Sequence, residues 1–170
     1  ALKNENGAYL NYNLNATLGF KINELHSLRF NSSIFDNDRE LSRTLTAESK
    51  SKLENEDRRF LVDWSYLGER FNSSFKIAFL QEEYSYLFDK DIPEVESMGS
   101  SDRLIGKYDF TYSLSNDLFL RAGLEFENAK GKGTNISSVS QNDFTGYVLM
   151  HHQPWEKFKY NTSIRAGASS

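Results

Sequence analysis

The chain has no cysteine. No disulfide framework holds it together, and no thiol performs chemistry in it. It also lacks long hydrophobic runs: nowhere do ~18 apolar residues follow one another, which excludes a helical membrane span. Positive charge is in deficit. Twenty Lys and Arg against 24 Asp and Glu leave a net charge of −4, with no basic patch, so nucleic acid is not an expected partner. Hydrophobic residues make up only 38 %, and mean hydropathy is −0.62. That poverty would suit a disordered chain, but an aromatic content of 14 % would not. The 170 residues suffice for one domain.

What the chain does have is alternation. From Ala8 to Ile22 every even position is apolar, and the odd positions are polar or small apart from the amphipathic Tyr9. Successive side chains of a strand point to opposite faces, so this stretch has one oily face and one wet face. About 15 residues of extended chain span roughly 50 Å, far beyond the ~5–6 residues of an ordinary soluble strand. The pattern returns seven times. Leu28, Phe30 and Ile34 oppose Arg29 and Asn31; Phe60, Val62 and Trp64 oppose Arg59 and Asp63. Phe71, Phe75 and Phe79 oppose Asn72 and Lys76; Leu104, Tyr108 and Tyr112 oppose Lys107 and Asp109. Leu118 to Phe126 opposes Arg121 and Glu125, a less regular run covers Phe144 to His152, and Phe158 to Ile164 opposes Lys159 and Arg165. A low mean hydropathy then follows naturally, because a barrel wall needs only alternate residues apolar. The fold class predicted is all-β: an antiparallel up-and-down meander of about eight strands, a transmembrane β-barrel or a segment of a larger one, occupying residues 1–170 as a single domain.

The connections are expected to alternate in length. Asn23–Glu24, Leu67–Glu69, Ser115–Asp117 and Gln153–Glu156 read as tight turns, and polar stretches near 36–58, 86–102 and 128–142 read as long loops. Short turns on one side and long loops on the other are the habit of a meander crossing an outer membrane. Aromatic residues gather in two sets. Phe20, Trp64, Tyr66, Phe71, Tyr112, Phe158 and Tyr160 lie near the tight turns, and Tyr12, Phe60, Phe126 and Phe144 lie toward the other end, as two interfacial girdles would. The wet face carries a dozen charges, too many for a dry interior, so it faces water, a hydrated plug or an ion-pair network.

The runs "NYNLNATLGFKINELHSLRFNSSIFDNDREL", "WSYLGERFNSSFKIAFL", "GKYDFTYSLSNDLFLRAGLEFENAKGKG" and "HHQPWEKFKYNTSIRAG" resemble the barrel of TonB-dependent outer-membrane receptors. The nearest texture is that of the cobalamin- and siderophore-receptor group of Bacteroides-type bacteria. The resemblance covers nearly the whole chain through strand-and-turn texture, without a diagnostic motif. It implies a bacterial outer-membrane location and energy-coupled import of a large, scarce nutrient. The implied partners are outer-membrane lipid, the nutrient itself and the TonB energy-transduction system acting through a plug domain. No plug or TonB-contacting box is recognisable, and the chain ends "RAGASS" rather than in an aromatic strand, so a barrel segment is expected.

Candidate site residues are few. Asp36, Asp38 and Glu40 alternate acidic oxygens at a loop entrance; acidic clusters in the loops of cobalamin receptors bind calcium, whereas a solvated charged loop is the plain alternative. The run lacks the glycine and terminal glutamate of an EF-hand. Asp89, Asp91, Glu94 and Glu96 form a second acidic loop, and with Lys130 and Lys132 they are candidates for a ligand vestibule. His151 and His152 are adjacent, so a strand turns them to opposite faces and away from a shared metal. His152 with Ser163 or Asp143 is the only imaginable catalytic grouping, and enzymatic activity is not expected. Apart from calcium no cofactor is expected. Two rival readings are a complete eight-stranded outer-membrane barrel with a structural or adhesive role, and a soluble lipocalin-like barrel with its apolar face inward.

Overall fold

A computed structural model of the chain describes residues 6–42, 49–92 and 95–170. It contains eight strands: β1 (Tyr9–Lys21), β2 (His26–Leu41), β3 (Ser51–Leu67), β4 (Phe71–Leu87), β5 (Val95–Ser113), β6 (Leu118–Gly133), β7 (Ile136–Trp155) and β8 (Phe158–Ser169). Each pairs antiparallel with the next, in the spatial order β1 to β8. There is no helix among the described residues, and the sheet is not closed: β1 and β8 are its two edges.

Register fixes the faces. Leu18 lies opposite Phe30, Phe30 opposite Val62, Val62 opposite Ile77, and the row continues through Gly106, Phe126 and Phe144. One side of the sheet is therefore apolar across all its strands. A slip of one residue in any pair would turn that strand inside out, so the alternation itself specifies the register. At one end the strands join through short connections. Asn23 Oδ1 accepts from the backbone N–H of Leu25 and of His26 at 2.9 and 2.8 Å, closing the first turn. Gly68 N–H donates to Phe71 O at 3.0 Å in the second, and Leu114 N–H to Leu118 O at 2.9 Å in the third.

The opposite end corrects the sequence reading. Residues 36–41, 51–58, 97–102, 128–133 and 136–142, expected as loop, are strand. The connections there shrink to residues 42–50, 88–94 and 134–135, the last no longer than a tight turn. The cause lies in the cross-strand chemistry. These segments keep the two-residue period after their side chains become polar on both faces, and bases reach diagonally across the ladder to acids that otherwise face acids, Asp36 opposite Glu56 and Asp38 opposite Glu54. Arg58 Nη1 donates to Asp36 Oδ1 at 2.8 Å, and Lys52 Nζ lies 2.8 Å from Asp38 and 2.7 Å from Glu54. Polarity marks where the apolar surface stops, several residues before the strands themselves do.

Candidate functional site

The sheet has almost no interior. Leu87, 9 % exposed, is the one buried apolar side chain among the described residues. Leu14 is 63 % exposed, Val148 55 % and Ile164 74 %. These side chains line the apolar face, and its boundary is sharp. On β3 that face runs Tyr66, Trp64, Val62, Phe60 and then Arg58, Glu56, Glu54; on β4 it runs Phe75, Ile77, Phe79 and then Gln81, Glu83. A band about nine residues long thus gives way to a charged zone on the same face.

The band is inclined to the strands. Consider the paired row Phe20, Leu28, Trp64, Phe75, Tyr108, Leu124, Gly146, Ala166. Its members lie 1, 2, 3, 4, 5 and 6 residues from the tight-turn ends of β1 to β6, and 8 from that of β8. In β7 the distance is 9, where the register shifts between His152 and Trp155. The turn ends therefore climb one residue per strand. With ~3.3 Å per residue and ~4.8 Å between strands, this slope corresponds to a strand tilt of about 35°. Barrels tilt their strands by roughly 35–45°.

Aromatic rings form a chain along the tight-turn edge of the apolar face. His26 stacks on Trp64 with centroids 5.6 Å apart and meets Tyr66 at 4.9 Å; Tyr66 meets Phe71 at 5.9 Å, and Phe71 meets Phe110 at 6.1 Å. His152, Tyr160, Phe158 and Trp155 continue the belt on β7 and β8. Toward the other boundary the described pairing is Phe30 with Phe60, 6.4 Å apart.

Two hollows lie on the polar face. One of about 360 Å³ combines Asn15, Asn31 and Arg59 with the apolar Leu61, Ala78 and Leu80, and another of about 530 Å³ includes Tyr9, Asn11, Asn37 and Arg39. Lower on this face Asp109 is buried, 8 % exposed. The Tyr147 hydroxyl donates to it, while Arg121 and Lys107 stand 4.0 Å away. Gly123 lies directly opposite Tyr147 and between it and Asp109. A Cβ there would meet Tyr147 Cε1 at 2.5 Å and Asp109 Oδ1 at 2.7 Å, so only glycine leaves the ring its path across the strand. This lock escaped the sequence reading. Its signal was a glycine inside a strand pattern, which becomes meaningful only once register places a tyrosine opposite it.

The predicted site residues are dispersed. Asp36, Asp38 and Glu40 lie in β2, at alternate positions on one face, and each has its own cation: Arg58, Lys52 and Lys90. They do not converge on one point, and no group of three His, Asp or Glu side chains suited to a metal exists among the described residues. Asp89 and Asp91 lie in the β4–β5 connection, which folds back across the sheet end. Lys90 Nζ donates to Glu40 at 2.5 Å, and Lys50 Nζ to Asp91 at 2.6 Å. The Lys90 hydrogen bond, helped by the Ala8 N–H, holds the Glu40 carboxyl below its ordinary range, and Lys50 does the same to Asp91. Hydrogen bonds with Asp38 and then Glu54 raise Lys52. Glu94 falls outside the described residues. Lys130 and Lys132, expected in a loop, are in β6 on the side of the apolar band and beyond its boundary, a correction with the same cause as the long strands.

The two adjacent histidines face apart. His151 stacks on Phe119 at 4.7 Å on the polar face, and His152 bonds to the Tyr160 hydroxyl at 3.0 Å on the other. Ser163 and Asp143 share the polar face with His151, not with His152, so the imaginable catalytic grouping is not assembled. No family model matches the chain, and no curated protein matches it.

Proposed function

We propose that this sheet is part of the transmembrane wall of a bacterial outer-membrane β-barrel, and that the barrel belongs to a TonB-dependent receptor importing a large, scarce nutrient such as a siderophore or cobalamin. The observation that carries the wall reading is the exposed apolar band, bounded by aromatic rings on one side and by charge on the other, on a sheet with no interior of its own. In water every exposed methylene of that band forfeits about 0.8 kcal/mol of transfer free energy, and lipid restores it. The strands are long enough, the tilt of about 35° is that of a barrel, and the charged side chains between the central row and the tight turns lie on the side opposite the band. A lipocalin-like barrel would turn the apolar band inward and leave the charged face to solvent.

The receptor assignment is narrower and rests on the resemblance of strand and turn texture. In that reading the chain has no enzymatic role. Its apolar face meets outer-membrane lipid, its polar face lines the lumen beside a plug domain, and the β4–β5 connection with its Lys50 and Lys90 ties forms part of the vestibule. The TonB system acts through the plug.

Spin labels on single cysteines decide the wall reading. Labels at Leu14, Phe75 and Leu120 are expected to collide with oxygen dissolved in lipid; labels at Asn13, Lys76 and Arg121 are expected to collide with a water-soluble relaxant. The opposite pattern overturns it in favour of a soluble barrel.

A further inference from the structure

We infer that the lower half of the polar face, between its central row and the tight turns, is built to take an anionic small solute bearing several carboxylate or phosphate groups. The inference rests on the reading of this face as the aqueous side of the wall. The central row runs Thr17, Asn31, Leu61, Ala78, Ile105, Glu127, Asp143, Ser169. From there to the turns the polar face carries seven cations and only three acids, Asp63, Asp109 and Glu125. The whole chain has a net charge of −4, so the cations are gathered on this half-face against the overall balance.

The next row toward the turns shows the arrangement most clearly: Arg29, Asp63, Lys76, Lys107, Glu125 on five successive strands. Lys76 and Lys107 are direct partners across β4 and β5. Like charges directly opposite destabilise a sheet pair, and the neighbouring carboxylates do little to relieve this one. Lys76 is 3.9 Å from Asp63; Lys107 is 3.7 Å from Glu125 and 4.0 Å from Asp109. Beyond the apolar band the same chemistry closes tightly, with Arg58–Asp36 at 2.8 Å, Lys52–Glu54 at 2.7 Å and Lys50–Asp91 at 2.6 Å. Two ammonium groups on adjacent strands, each held only by acids at the outer limit of ion-pair distance, match an oxyanion bridging them. Lys21, Lys159 and Arg165 make no ion pair among the described residues and extend the cationic surface toward the turns. A solute with several anionic groups engages the lysine pair and a flanking arginine together.

Equilibrium dialysis of the chain in detergent micelles at low ionic strength tests this, with labelled tripolyphosphate as probe and spermine as its cationic counterpart. Saturable tripolyphosphate binding that salt weakens is expected, with none for spermine. Replacing both lysines, Lys76→Gln with Lys107→Gln, should weaken binding about tenfold or more, since each removes a charge-assisted hydrogen bond. The acid-neutralised Asp63→Asn/Glu125→Gln chain should bind more tightly, which keeps the test decisive if the lysine variant fails to fold. Lys130→Gln with Lys132→Gln, on the other face, should change nothing. Equal binding of spermine, or binding indifferent to Lys76, Lys107, Asp63 and Glu125, overturns the inference; so does capture of a poly-glutamate peptide without tripolyphosphate, which would assign the face to a polypeptide. If binding fails while the spin-label pattern of a wall holds, the anion inference alone falls. A reversed label pattern removes both.

Discussion

An arginine carried step by step along β4 measures whether the apolar band meets lipid. The band on this strand covers Phe71 to Phe79, eight steps or about 26 Å of chain, and a tilt of about 35° reduces its height to about 22 Å. Phe75 lies at its centre, Phe71 at the turn edge and Gln81 just past the charged edge. In a bilayer, an arginine replacing alanine on the lipid side costs about 2–4 kcal/mol at the midplane and about 0–1 kcal/mol near an interface. The arginine-minus-alanine difference should therefore peak at Phe75, remain large at Ile77, and fall away at Phe71 and Gln81. Ala78 supplies the internal control. It sits at nearly the depth of Ile77 but on the polar face, opposite Leu61 and Ile105. Ala78→Arg should cost under about 1 kcal/mol, because its side chain stays in water. The assay is urea unfolding of the chain folded into phospholipid vesicles, followed by the fluorescence of Trp64 and Trp155. A flat profile along β4, or a penalty at Ala78 equal to that at Ile77, refutes the two-faced wall.

Other expectations concern the polar lock and the far end of the sheet. Gly123→Ala forces the Tyr147 ring off its strand and should destabilise by about 1–3 kcal/mol in the same unfolding assay. Tyr147→Phe leaves the buried Asp109 without its hydroxyl and should cost a similar amount, about 1–3 kcal/mol. Glu40 and Asp91 have folded values below their unfolded ones, so their contribution is complete above the ordinary carboxylate range and is lost as pH falls through the lowered values. The amide-exchange protection factors of residues around Lys90, taken relative to the intrinsic rate at each pH, should accordingly fall below about pH 4 and stay unchanged between neutrality and pH 6. Lys52 has the opposite sign: its raised value means a contribution present below 10.5 and lost as pH rises past the folded value, a loss that Lys52→Ala should abolish. As an accessible ion-pair group, Lys52 should contribute no more than about 1 kcal/mol near neutrality, read as a small, salt-sensitive shift in urea midpoint.

Face and strand number were legible from the chain because alternation encodes them directly. Eight periodic segments became eight strands, and the parity change at Phe71 was visible once the Leu67–Glu69 turn was recognised. Strand length was not legible. At Asp36 and again at Lys130 the apolar signal stops while the hydrogen-bonded ladder continues, since a strand polar on both faces looks like loop in one dimension. Pairing was equally hidden. Arg58 with Asp36, Tyr147 with Gly123, and Lys76 with Lys107 are separated by 22, 24 and 31 positions, and nothing in the chain announces such partners before register is known. The acidic run at Asp36, Asp38 and Glu40 suggested a shared cation on composition alone; in the structure each acid has a separate basic partner, Arg58 and Lys52 diagonally across the ladder and Lys90 from the β4–β5 connection.

The unequal ends of the sheet also set a direction. Beyond the apolar band, β2 and β3 continue through residues 36–41 and 51–58, about 16–20 Å of height in which acids and bases crowd the surface. The four tight connections at the opposite end are only two to four residues long and carry one or two charges each. Moving the charged extension through hydrocarbon would require every one of its ions to leave water together. Moving the turns through requires only a few polar residues at a time. As the membrane wall proposed above, a chain of this design has one practical order of events: the hairpin tips cross first, and the charged ends of the strands stay behind on the side from which the chain arrived. In that reading, final orientation follows from the same asymmetry.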